Sequence, residues 1–341
     1  MTTLAPVPTE DDTTDPALPL PRGPLSAMVV DLLRGARRPA RLDLAPVDHA
    51  DPYGEDLTLA LHVCYELHYR GFDSVDPEWE WQPDLLRLRA CMERSFLDTL
   101  RSDVDGGDDV PAALAGLLVE PVHGNGVSHY LRDSGSWSQL REFFVHRSIY
   151  HLKEADPHAW IIPRLRGQAK ASVVAVEFDE YGGGRADDAH ARLFANLMTG
   201  AGLDPRYLRY QDRVPAPAIA TVNLMSMLGL HRALRGALVG QLTAAEITTS
   251  PSAHRMVQAL ERHDAAPDCV RFYAEHIEAD AVHEQVMRRD VVGDLLAREP
   301  GLAGDIVFGV QATELLESRL SDHLLTAWRS GTTSLAGDDA W

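Results

Sequence analysis

Arg271-Phe-Tyr-Ala-Glu-His-Ile-Glu-Ala-Asp-Ala-Val-His-Glu284 is the stretch on which the reading of this chain turns. Within it His276, Asp280 and His283 stand at i, i+4 and i+7. An α-helix turns about 100° per residue, so these side chains fall at about 0°, 40° and −20° around the axis. Two imidazoles and a carboxylate therefore share one narrow stripe, a donor set that suits borderline metals such as iron. A solvated polar face explains one or two such residues at this spacing, but not three ligand types in register.

Outward from this stretch, the whole chain sets bounds. At 341 residues it can bury a large core, in one large domain or two modest ones. No apolar run reaches the roughly 18 residues needed to cross a bilayer. The first 23 residues are rich in Pro, Thr and Asp and lack the basic-then-apolar order of a secretory signal, so they read as a disordered tail. A formal net charge of −19 argues against a nucleic-acid backbone or an anionic membrane as partner. Cys64, Cys91 and Cys269 are scattered, with no Cys-x-x-Cys pair. That usage suits the cytoplasm and excludes a disulfide framework or a cysteine-rich metal site.

Helical periods recur along the chain and strand alternation is hard to find, so the fold class expected is all-α. Residues 24–130 read as an N-terminal helical segment, 131–330 as the core, and 331–341 as a flexible C-terminal tail. The spacing predicts helices over 56–69, 84–100 and 111–118, a loop over 124–136, and a helix over 138–154. Further helices are expected over 168–181, stopped by Gly182-Gly183-Gly184, and over 187–199. A buried helix follows over 216–238, with separate helices over 242–248, 251–263, 267–289 and 304–328. His62 and Glu66, at i and i+4, are a second and weaker metal pair with no further ligand in register.

Three regions offer partners for the opening stripe. Glu154 ends one long helix, Glu180 ends the next, and His190 lies just beyond the glycines. With His276, Asp280 and His283 this makes three carboxylates and three imidazoles. Facing helices that carry such residues are a known way to hold two irons. Glu177, three residues before Glu180, stays open as a ligand or a supporting acceptor, and Glu246 as a supporting group. His151 precedes Glu154 by one turn, within reach of a hydrogen bond to it, and reads first as a packing residue. An apolar pocket would draw on Phe143, Phe144, Ile149, Tyr181, Phe194 and Met225. A substrate carboxylate would need a cation, for which Arg147, Lys153, Arg164 and Arg271 are the candidates.

These residues resemble the haem-oxygenase-like di-iron oxidases, the iron-containing redox enzymes. The resemblance rests on Glu154, then Glu180-x9-His190, then His276-x3-Asp280-x2-His283. It is similar above all to the N-oxygenating branch and covers about 140–284. It implies a haem-oxygenase-like seven-helix core that binds no haem, and two iron ions held by the six residues, which are then the catalytic set. It further implies O2 as co-substrate, an external electron donor and a small-molecule substrate in a natural-product pathway. The activity expected is monooxygenase N-oxygenation of an amine or amino acid. Oxidative C–C cleavage, decarboxylation or desaturation at the same site are the alternatives, and a homodimer through the N-terminal helices is plausible. A non-catalytic helical binding or regulatory protein, or a cofactor-free oxidase of the same fold, would do without the full ligand set.

Overall fold

The computed structural model describes residues 15–35, 42–119 and 124–337, with the side chain of Glu278 also outside the description. The described residues are helical throughout, with no strand among them. In chain order the first helices are α1 (Pro24–Leu33), α2 (Ala45–His49), α3 (Glu55–Glu66), α4 (Pro83–Asp103), α5 (Val110–Leu117) and α6 (Val127–Asp133). Then come α7 (Trp137–His151), α8 (Asp156–Ala159), α9 (Gly167–Glu180), α10 (His190–Gly200) and α11 (Ala216–Leu230). The last are α12 (Arg235–Arg262), α13 (Pro267–Val286), α14 (Gly293–Arg298) and α15 (Ala303–Arg329), with one π-helical turn over Met287–Val292.

Helices α7, α9 to α13 and α15 pack on one another and enclose the site. Helix α11 is apolar all round and is the buried centre. α3 covers it from the N-terminal side, and α5 and α6 lie against α12 and α15. One apolar core runs from Leu25 to Leu335, so the N-terminal segment shares the core of the remainder. No helix among the described residues is long and apolar enough to cross a membrane.

Several expected boundaries move. The loop expected over 124–136 contains α6, whose His129 and Leu131 are buried; a helix this short shows too little period to read. The helix expected over 216–238 ends at Leu230, where Arg164 donates to the carbonyls of Gly229 and Leu230. From Arg235 a single helix runs through Pro251, where two were expected. Proline costs that helix a hydrogen bond, but packing along α13 and α15 carries it through.

Both ends are tied down where described. Gln211 Nε2 donates to Ala17 O at 2.6 Å, Leu20 N donates to Asp212 Oδ1 at 2.8 Å, and Arg22 donates to the carbonyls of Gln211 and Val214. Residues 15–23 of the expected tail are therefore packed, and 1–14 lie outside the described residues. Residues 331–337 are not a loose end either. The buried carboxylate of Glu142 needs donors, and Oε2 takes them from Ser334 N (2.8 Å), Ser334 Oγ (2.6 Å) and Trp328 Nε1 (2.8 Å).

Candidate metal centre

Each side chain reaches the site by a local device. On α13 the helical register alone suffices: His276, Asp280 and His283 are all buried. His276 Nδ1 donates to Phe272 O, one turn back, at 2.7 Å. A proton is thereby fixed on Nδ1, and the second nitrogen, Nε2, faces Glu154 Oε1 at 3.6 Å. His283 is turned the other way: Nε2 bonds Asp179 Oδ2 at 3.2 Å, so Nδ1 faces Glu246 (3.3 Å), Glu180 (3.6 Å) and Asp280 (3.8 Å).

Glu180 is the last residue of α9, and the three glycines that follow have φ of +70°, +62° and +83°. At Gly182 a Cβ would lie 2.4 Å from Ala189 N, so only glycine allows the chain to fold back this closely. His190, the first residue of α10, thus returns to Glu180, with Nδ1 2.8 Å from Oε2.

Glu154 sits past the end of α7, not on it, because the helix stops at His151 and Ala155 takes φ +75°. This turn sends two consecutive side chains to different places. Lys153 pairs with Glu66 in a fully buried contact, while Glu154 faces His276 and accepts from His151 Nδ1 at 2.7 Å. His151 is thus a partner of the site and not merely a packing residue.

The six residues converge in two groups. Donor atoms of Glu154, Glu180, His190 and His276 lie within 4.8 Å of one another, as do those of Glu180, Asp280 and His283. Glu180 belongs to both groups. Glu177 and Glu246 stand beside them, each buried and each with Oε2 lacking a hydrogen-bond partner.

Crowding of carboxyl groups in a buried space shapes their protonation. Burial, with Glu180 and Glu246 nearby, raises Glu177 to about 9. Burial and Glu246 raise Asp280 to about 9 as well. Burial opposes charge on His276 and His283, yet the surrounding carboxylates outweigh it and raise them to about 10 and about 9. Glu154 is held well below the carboxylate range despite burial, chiefly by His151. Without a cation the site therefore keeps its charges together by retaining protons.

The donors fit a metal. His276 Nε2, His283 Nδ1 and Glu154 Oε2 are buried without a hydrogen-bond partner, and His190 Nδ1, though 2.8 Å from Glu180 Oε2, is poorly aligned to donate to it. A native fold leaves few buried polar atoms so, and here they face the same carboxylates. Nitrogen and carboxylate oxygen together are the donors of non-haem iron.

The other candidates resolve differently. Glu66 is taken by Lys153 and by Tyr207 Oη at 2.5 Å, so the His62–Glu66 pair is part of a buried ion pair and not a second metal site. Phe143 and Met225 line a cavity of about 510 Å³ that opens onto the cluster, along with Glu154, His276 and Asp280. Phe144 and Ile149 are core, and Phe194 packs on His151 and Phe272. Tyr181 is exposed and bonds Asp156. Asp179 has a side chain that is 58 % exposed, yet it orients His283. One signal for Asp179 was in the sequence, its place one residue before Glu180.

A family model described as iron-containing redox enzyme matches residues 141–318, just over half of the chain. A search of curated proteins gives no match.

Proposed function

The chain belongs to the iron-containing redox enzymes, and from that premise we propose that it is a non-haem di-iron oxygenase. The observation that carries the reading is the sharing of Glu180 between two donor groups. Glu154, Glu180, His190 and His276 would hold one iron and Glu180, Asp280 and His283 a second, so that Glu180 belongs to both sets. When bound, reduced iron would supply the electrons that O2 activation needs, with an external donor to restore them. The reaction is N-oxygenation of a small amine or amino acid in a biosynthetic pathway in the cytoplasm.

The chain's own residues set the conditions for that chemistry. Phe272 O and Asp179 fix which nitrogen of His276 and His283 faces inward, as outer partners of metal-bound imidazoles do. Phe272 and Phe194 meet edge to face at 5.1 Å beside His151 and His276 and keep water from that side of the cluster. Glu177, raised to about 9 in the metal-free site by burial and by Glu180 and Glu246, stands beside the ligands as a carboxyl group that can hold a proton there.

The test is anaerobic Fe(II) loading followed by mixing with O2 in the presence of amines and amino acids. The expected result is about two irons per chain and an iron-dependent visible band on mixing. Product analysis separates N-oxygenation from C–C cleavage, decarboxylation or desaturation. A protein that binds no iron under these conditions is a binding module or a cofactor-free oxidase instead.

A further inference from the structure

The cavity that opens onto the cluster also holds a charged pair away from the six ligands. Phe143, Arg147 and His151 on α7 line it, with Glu154 just past the helix end, so Arg147 stands one helical turn before His151 on the same face. From α15, Glu317 meets Arg147 in a two-pronged ion pair, Nη1 to Oε1 at 2.8 Å and Nη2 to Oε2 at 2.6 Å. Of the four cations singled out in the sequence, Arg147 alone lines this cavity; Arg255, which also lines it, donates from Nε to Ser128 Oγ at 2.9 Å. Lys153 is buried against Glu66, Arg164 caps the end of α11, and Arg271 pairs with Asp188 on the surface.

We propose that the Arg147–Glu317 pair is the docking site for the zwitterionic head group of an α-amino acid, whose side chain then points along the cavity toward the cluster. The argument is one of charge. A plain carboxylate approaching Arg147 meets the negative charge of Glu317, and a plain ammonium approaching Glu317 meets Arg147. A group that bears both signs on one carbon meets both partners with attraction. The ring of Phe143, 5.3 Å from the guanidinium, braces Arg147 in place. Recognition at this distance from the cluster selects substrates by their head group and leaves the side chain to set which atom is oxidised. The inference rests on the oxygenase reading only for what happens at the cluster; head-group binding stands or falls without it.

The probes are the common L-amino acids and ornithine, with cadaverine and 6-aminohexanoate as lysine analogues lacking the α-carboxylate and the α-ammonium. Binding to the iron-loaded full chain is measured by calorimetry and thermal shift. At least one amino acid is expected to bind, and its analogues lacking either head-group charge at least tenfold more weakly. Arg147→Gln and Glu317→Gln should each weaken that amino acid about ten- to a hundredfold, the loss of a charge-assisted bond. Either change leaves its partner unpaired, so the charge-swapped double variant R147E/E317R is the control for folding. It restores an ion pair, and with it the thermal stability, but an L-amino acid must exchange its carboxylate and ammonium to meet the swapped pair, so the L-enantiomer should still bind at least tenfold more weakly than to the unaltered chain while the D-enantiomer loses less. Failure of every amino acid to bind, or wild-type affinity in R147E/E317R, overturns the proposal. Head-group-dependent binding without O2 uptake would instead count against the oxygenase reading. Iron-dependent oxidation of amines lacking the head group, unaffected by Arg147→Gln, would sink the docking site and leave that reading standing.

Discussion

Glu180 Oε2 stands 2.8 Å from His190 Nδ1 although a helix end, three glycines and a new helix start lie between them. Its other oxygen lies 3.6 Å from His283 Nδ1 on α13. One carboxylate thus touches both donor groups, and its loss should not resemble the loss of an outer ligand. Glu180→Ala is expected to retain less than about one iron per chain, whereas Glu154→Ala keeps about one, on the Asp280 and His283 side. Iron is counted after gel filtration. Full loading of the Glu180 variant would show that it does not bridge.

The same contact depends on Gly182. An added methyl at φ +70° is strained, and it would meet Ala189 N at 2.4 Å. Gly182→Ala should cost about 1–3 kcal/mol of stability and weaken iron binding, because relief of the clash moves His190 away. Gly183→Ala, with φ +62° but only Phe178 nearby at 3.8 Å, is the control: it pays the strain and keeps the metal. Equal iron loss in both variants would locate the effect in general destabilisation.

Much of this site was legible in the sequence because helical register is a local property. His276, Asp280 and His283 needed only the helix geometry, and the glycine run announced a break after Glu180. The sequence puts Glu154 at the end of a helix, but at the turn that aims it Lys153 meets Glu66, 87 residues away, a contact no local pattern announces. Glu246 and Glu177 were legible only as carboxylates on the right helices. Whether such a group is buried beside His283 is set by how α12 lies on α13, and no local pattern encodes that. The same holds for Pro251, where packing overrides a strong local breaker.

Asp179 gives a test of orientation apart from ligation. It is more than half exposed, so Asp179→Ala should change stability little, yet it frees His283 Nε2 and lets the ring turn. Iron affinity is expected to fall about tenfold to a hundredfold, as for other outer partners of metal-bound imidazoles. Competition with a chelator of known affinity measures this. Unchanged affinity would mean that packing alone holds the ring.

The protonation pattern fixes a pH dependence. His276 is raised from its ordinary 6.5 to about 10 and Asp280 from 3.8 to about 9. Both are raised, so what they contribute to the metal-free fold is complete below the ordinary values and is lost as pH rises through the folded ones. His62 and His146 have the opposite sign: burial lowers them to about 4 and about 3, and their contribution is lost as pH falls below 6.5 toward those values. Above neutrality the raised groups act together, so the melting temperature of the iron-free protein should decline there, while on the acid side Asp280 and the two lowered histidines oppose one another. Iron must displace the protons on His276, Asp280 and His283, so its apparent affinity should rise from pH 6.5 to 8.5 with measurable proton release. Calorimetry in buffers of different ionisation heat reads both, and binding without proton release would contradict the assignment.

The Lys153–Glu66 pair tests how the turn at Glu154 is held. Both side chains are fully buried, and Tyr207 supplies Glu66 with one further bond at 2.5 Å. Lys153→Met leaves Glu66 charged and largely uncompensated, which should cost about 3–5 kcal/mol. The double variant Lys153→Met/Glu66→Leu removes both charges and keeps most of the volume, so it should recover most of that loss. Stability and iron binding then part company. If the ion pair is what sends Lys153 one way and Glu154 the other, the double variant folds well but binds iron more weakly on the Glu154 side. If the double variant loads iron normally, the left-handed Ala155 and the bond from His151 suffice to aim Glu154. If single and double variants are equally unstable, the buried pair is not where the stability resides.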